Sequence, residues 1–159
     1  MLRTARVMSS YYPAKRIGPY NLWIGSKADS ENVAAARRNG VSLIVNCTRD
    51  LPFVVPRVSR LRVPVDDDPA DAATMLAYLP RAVTTIDAHL DRGDAVLVHC
   101  FAGISRSASV VAAYLMHREG LTPKQAMARI RRSKPETFSS PNFLGALNAF
   151  HSILRKKMR

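Results

Sequence analysis

Two short, nearly continuous apolar runs constrain this chain more than any other feature: residues 42–47 (SLIVNC) and 95–98 (AVLV). Strands buried on both faces read this way, and sheets covered on both faces are mostly parallel. Each run follows a segment of helical spacing closed by a glycine. Before the first, Ser30 is placed to cap an amphipathic helix that runs to about Asn39 and ends at Gly40. Before the second, Met75, Leu76, Leu79, Val83, Ile86 and Leu90 recur at helical spacing up to about Asp91, and Gly93 ends that helix. Residues 22–24 (LWI), closed by Gly25, and residues 60–65, where Pro64 favours an edge or a strand end, read as further strands. Beyond residue 98, the apolar stretch 108–116 is long enough for a buried helix. Thr122-Pro123-Lys124-Gln125 combines a capping box with proline at the first helical position and opens a helix to about Arg132. Ser140-Pro141 opens the last one in the same way. Strands alternating with helices predict an α/β fold, a central, mainly parallel sheet flanked by helices.

At 159 residues, 47% of them apolar, the chain suits one compact domain. Residues 1–16 carry little periodic pattern and read as a mobile N-terminal arm, with the domain over 17–159. No stretch approaches the ~20 apolar residues that span a bilayer, and none resembles a secretory leader. Cys47 and Cys100 lack both paired metal-site spacing and the density of a disulfide scaffold, so a reducing, intracellular setting is expected, cytoplasmic or nuclear. Twenty-four Lys and Arg against twelve Asp and Glu leave a formal charge of +12, which attracts anions: phosphoprotein, nucleic acid or an acidic membrane surface. Charge does not choose among them, and the basic Arg155-Lys156-Lys157-Met158-Arg159 tail reads first as a solvated end.

The chemistry is concentrated between AVLV and the helix after it, in His99-Cys100-Phe101-Ala102-Gly103-Ile104-Ser105-Arg106-Ser107. A loop leaving a parallel strand and entering a helix N-terminus turns successive N–H groups, with the helix dipole behind them, toward one point. A tetrahedral oxyanion fits that point. Gly103 permits a backbone conformation closed to residues with a Cβ. Arg106 adds a planar fork that binds two phosphate oxygens together, which lysine does not reproduce. The same positive partial charges favour a thiolate at Cys100, placed for in-line attack on a bound phosphoryl group and formation of a phosphocysteine. No metal or cofactor is expected, since Arg106 and the amides balance the charge and His89, His99, His117 and His151 have no ligand-like spacing. For protonation of the leaving oxygen the run Asp66-Asp67-Asp68 offers three candidates, and composition does not decide among them.

HCFAGISRSASVVAAYLM closely resembles the active-site signature of the dual-specificity protein phosphatases, within the cysteine-based tyrosine phosphatase superfamily. YNLWIGS is similar to that family's N-terminal strand, SLIVNCT to its central strand, VPVDDDP to its general-acid loop and SSPNFLGAL to its last helix. The resemblance implies a minimal, atypical, single-domain member. It implies Cys100 as nucleophile, Arg106 as phosphate clamp, and Phe101, Ala102, Gly103, Ile104 and Ser105 as the rest of the phosphate loop. It also implies Asp67 as general acid, and Ser107 as the hydroxyl that assists Cys100 when the phosphoenzyme is hydrolysed. Supporting roles fall to His99, orienting the loop, and Asn142, bracing it. The expected substrates are proteins carrying phosphotyrosine, phosphoserine or phosphothreonine.

Phe101 and Ile104 stand where phosphoinositide phosphatases of the superfamily usually carry basic residues. Ala102 and Ser105 stand where RNA 5′-triphosphatases carry His and Asn. Both alternatives are thereby disfavoured. A phosphoprotein-binding pseudoenzyme is opposed by the presence together of Cys100, Asp67 and Arg106.

Overall fold

The computed structural model describes residues 14–158. Five strands form one sheet: β1 (Lys15–Arg16), β2 (Leu22–Gly25), β3 (Val41–Asn46), β4 (Ser59–Arg62) and β5 (Ala95–His99), in the order β1-β2-β5-β3-β4. Only the pairing of β1 with β2 is antiparallel. Around the sheet lie α1 (Lys27–Ser30), α2 (Val33–Asn39), α3 (Ala72–Asp91), α4 (Arg106–Glu119), α5 (Pro123–Ser133) and α6 (Leu144–Lys157). The α/β expectation holds, and none of these helices is long and apolar enough to cross a membrane.

Alternation along the strands sorts the core into two layers. Leu43, Val45, Val96 and Val98 join a large cluster with Met75, Leu79 and Ile86 of α3, Val110 and Val111 of α4, and Leu147 and Phe150 of α6. Ile44 and Leu97 face the other way, toward Ala36 of α2 and Val55. Every residue of α4 from Ser107 to Met116 is buried. This central helix has no solvent-facing stripe, which is why its sequence is apolar all round.

Several boundaries differ from the sequence expectation. Ser30 caps nothing: Ser26 caps α1 in a capping box with Asp29, and Asn32 caps α2 by accepting from Ala35 N at 3.0 Å. Residues 26–32 hold more than one good cap, and two short helices use both. Strand β4 ends at Arg62; Val63 N still reaches Asn46 O at 2.9 Å, and Pro64, which has no N–H, follows. Helix α6 begins at Leu144, a turn beyond Ser140-Pro141. Of the arm expected over 1–16, residues 1–13 lie outside the described residues, whereas Lys15 and Arg16 are part of the sheet.

Candidate active site

Strand β5 lies between β2 and β3, with His99 level with Gly25 on one side and Asn46 on the other. Its carboxyl end delivers Cys100 to the centre of the sheet edge where ligands of open parallel sheets bind. Cys100 N donates to Gly25 O at 3.4 Å, and Lys27 N returns a bond to Phe101 O at 2.9 Å. On the far side Phe138 N donates to Ile104 O at 2.9 Å, and Ser109 N donates to Ser105 O at 2.9 Å. The carbonyls of Phe101, Ile104 and Ser105 therefore point outward to partners. Among the described residues, the N–H groups of Phe101, Ala102, Ile104 and Ser105 have no protein acceptor.

Gly103 has φ +74, and a Cβ there would stand 2.7 Å from Gly25 O. Glycine is thus required both by conformation and by the close approach of the β2–α1 turn. Cys100 Sγ, buried beneath the loop, accepts from Gly103 N at 3.2 Å and lies 3.2 Å from Ser107 Oγ. Arg106 donates through Nη1 to Val65 O at 3.0 Å, while its buried Nε has no partner among the described residues. Phe101 stands on the rim with 62% of its surface exposed.

His99 is wholly buried, and its Nδ1 lies 3.3 Å from Cys100 O. A carbonyl only accepts, so Nδ1 carries the hydrogen of that bond. Burial pushes the ring below its ordinary value; the bond to Cys100 opposes this, Arg62 and Arg106 add to it, and Asp29 opposes it. The His99 ring is therefore held neutral, with Nδ1 on the first carbonyl of the loop. Burial pushes the Cys47 thiol up, as does nearby Cys100, against the pull of Arg106. Cys47 is a core thiol.

The three aspartates are all exposed but differently held. Asp66 N donates to Asp71 Oδ2 at 2.6 Å, and Asp68 Oδ1 accepts from Ala70 N at 2.8 Å. Asp67 is bound by Asn142, whose Nδ2 donates to Asp67 Oδ1 at 2.9 Å and Asp67 O at 3.2 Å. The Asn142 amide thus holds the loop of residues 66–68, while on the phosphate-loop side Phe138, at φ +61, bonds Ile104 O through its backbone. Arg131 steadies that segment by donating to Thr137 O and Phe138 O. Phe138 and the Gly25–Lys27 turn escape a motif search because they act through backbone atoms that any side chain could carry.

Residues 22–153 match the profile described as dual specificity phosphatase, catalytic domain. The chain belongs to the dual specificity phosphatase family. Dual specificity phosphatase 28 of Homo sapiens is 36% identical over 144 residues, which cover 90% of this chain and 80% of that protein. Dual specificity protein phosphatase Mpk3 of Drosophila melanogaster is 32% identical over 140 residues, 86% of this chain and 34% of that longer protein. The crystal structure of human DUSP28 superposes with a TM-score of 0.83 at 35% identity, covering 90% of this chain and 95% of that one. The dual specificity phosphatase described here is accordingly a protein phosphatase, with phosphorylated proteins as its substrates in general.

Proposed function

We propose that this phosphatase hydrolyses phosphotyrosine and phosphoserine or phosphothreonine through a phosphocysteine at Cys100, with Asp67 as acid and then base. The observation that carries this is the position of Cys100 Sγ, between the Gly103 N–H and the Ser107 hydroxyl, in a loop whose Phe101, Ala102, Ile104 and Ser105 amides, like the buried Arg106 Nε, have no partner among the described residues. Phosphoryl oxygens satisfy those amides and the guanidinium fork, which strengthen their hold as charge builds on the equatorial oxygens. The thiolate forms the S–P bond as the O–P bond breaks, and Asp67 gives its proton to the leaving oxygen. Asp67 then takes a proton from water, which displaces the thiolate and releases phosphate.

Phe101 on the rim offers an apolar platform rather than a basic one, which supports protein over phosphoinositide or RNA substrates. Cys47 and Cys100 are both free and buried, which suits a reducing, intracellular setting. The +12 charge favours acidic phosphoproteins, with nucleic acid or acidic lipid as secondary contacts. The test is phosphate release from phosphotyrosine and phosphothreonine peptides beside an RNA 5′-triphosphate and a phosphoinositide. Turnover of the peptides, abolished in Cys100→Ser with phosphate binding retained, is the expected result. Binding without turnover by the wild-type chain would make it a pseudoenzyme.

A further inference from the structure

Asp71 stands at the N-cap position of α3, yet its side chain makes no cap hydrogen bond. A carboxylate there ordinarily accepts from the first turn of the helix. Its Oδ2 is turned back instead, to Asp66 N at 2.6 Å and Arg49 Nη2 at 2.8 Å. Arg49 also reaches Asp66 Oδ2 through Nε at 3.2 Å. These bonds hold the charge of Asp71, whose carboxyl lies below its ordinary value, first through the Asp66 N–H and then through Arg49.

The backbone that carries Arg49 is anchored, because its neighbour Thr48 is buried and clamped. Thr48 N and Oγ1 both donate to Asn46 Oδ1, at 3.1 and 2.6 Å, and Thr48 O accepts from Arg62 Nη1 at 3.0 Å. The end of β3 is thus linked through Arg49 to Asp66, the residue preceding Asp67. The Arg49 side chain is 50% exposed and that of Asp71 16%, so the pair adds little to global stability. What it can do is place a loop.

We propose that Arg49 and Asp71 are positioning residues for the general acid: together they latch the loop of residues 66–68 so that Asp67 meets the leaving oxygen. This rests on the reading of Asp67 as the acid. The latch acts only on the step that needs a proton. Losing it therefore harms esters with poor leaving groups and spares those whose oxygen departs unaided.

The test compares phenyl phosphate with 2,4-dinitrophenyl phosphate in Arg49→Ala, Arg49→Lys, Asp71→Ser and Asp67→Asn. Serine is itself a good helix cap, so Asp71→Ser removes the latch without endangering α3. Arg49→Ala and Asp71→Ser should each lower kcat/KM about tenfold for phenyl phosphate and less than about twofold for the dinitrophenyl ester. Inhibition by inorganic phosphate and the thermal midpoint should stay at wild-type values. Arg49→Lys should recover part of the loss, through one ion pair instead of two. In an Asp67→Asn background Arg49→Ala should add nothing, because the acid it places is gone. Equal losses on both esters, or additive losses in the double variant, overturn the latch while leaving Asp67 in its role. If Asp67→Asn itself affects the two esters equally, the acid assignment fails and the latch fails with it.

Discussion

Asn142 and Asp67, seventy-five positions apart in the chain, are joined by a hydrogen bond of 2.9 Å from the Asn142 amide to Asp67 Oδ1. A second bond from the same nitrogen reaches the Asp67 carbonyl. An amide N–H occupying Oδ1 leaves Oδ2 for the proton that the proposed acid role of Asp67 requires. Asn142→Ala should lower kcat/KM for phenyl phosphate about fivefold with little change for 2,4-dinitrophenyl phosphate. A change in phosphate affinity without leaving-group dependence would return Asn142 to bracing the phosphate loop.

Ser107 Oγ lies 3.2 Å from Cys100 Sγ, close enough to support departing thiolate when water attacks the phosphocysteine. Ser107→Ala should leave phosphoenzyme formation near normal and slow its breakdown, so rapid-mixing traces with p-nitrophenyl phosphate should show a burst followed by a slower steady state. Slower formation without a burst would make the hydroxyl structural.

Gly103→Ala and Gly120→Ala separate two demands on glycine. Both positions have positive φ, +74 and +70, but only at Gly103 would a Cβ meet the Gly25 carbonyl, while nothing lies within 4 Å at Gly120. Gly120→Ala should cost about 1 kcal/mol of stability from backbone strain alone. Gly103→Ala should cost more, about 1–3 kcal/mol, and abolish most turnover because the loop must move off its mould. Urea unfolding and peptide turnover measured on both variants check this, and equal behaviour would show that the close approach has no consequence.

Stability should fall on mild acidification. Burial lowers His99 and His89, the latter also through Arg92 and against Asp94. Below the ordinary histidine value of about 6.5 the unfolded chain therefore binds protons that the folded chain refuses. The unfolding free energy should decline as pH drops from about 7 to 5, and His89→Gln should remove part of that slope. The depressed carboxyls of Asp71, Glu119 and Glu136 act separately, their contribution being lost as pH falls below about 4.5 through their folded values. An unaltered slope in His89→Gln would mean that burial of this ring is not its source.

The loop from His99 to Ser107 was legible in the chain because its determinants are local. An apolar strand, a cysteine, a glycine that must take positive φ, an arginine and a buried helix follow one another without a gap. Capping at Thr122 and termination at Gly40 were legible for the same reason: they are hydrogen bonds within one turn. The tertiary structure decided what distance along the chain conceals. Strand order brought Gly25 and Cys100 into register across β2 and β5, and that approach makes Gly103 indispensable. Packing of α6 against α3 and α4 brought Asn142 to Asp67, so chain-distant groups, not the aspartate run itself, distinguish Asp67 from its neighbours. A side-chain type and its spacing specify what a residue can bond to within a turn or a strand. Which distant partner it meets depends on how whole elements bury their apolar faces, and only the assembled core settles that.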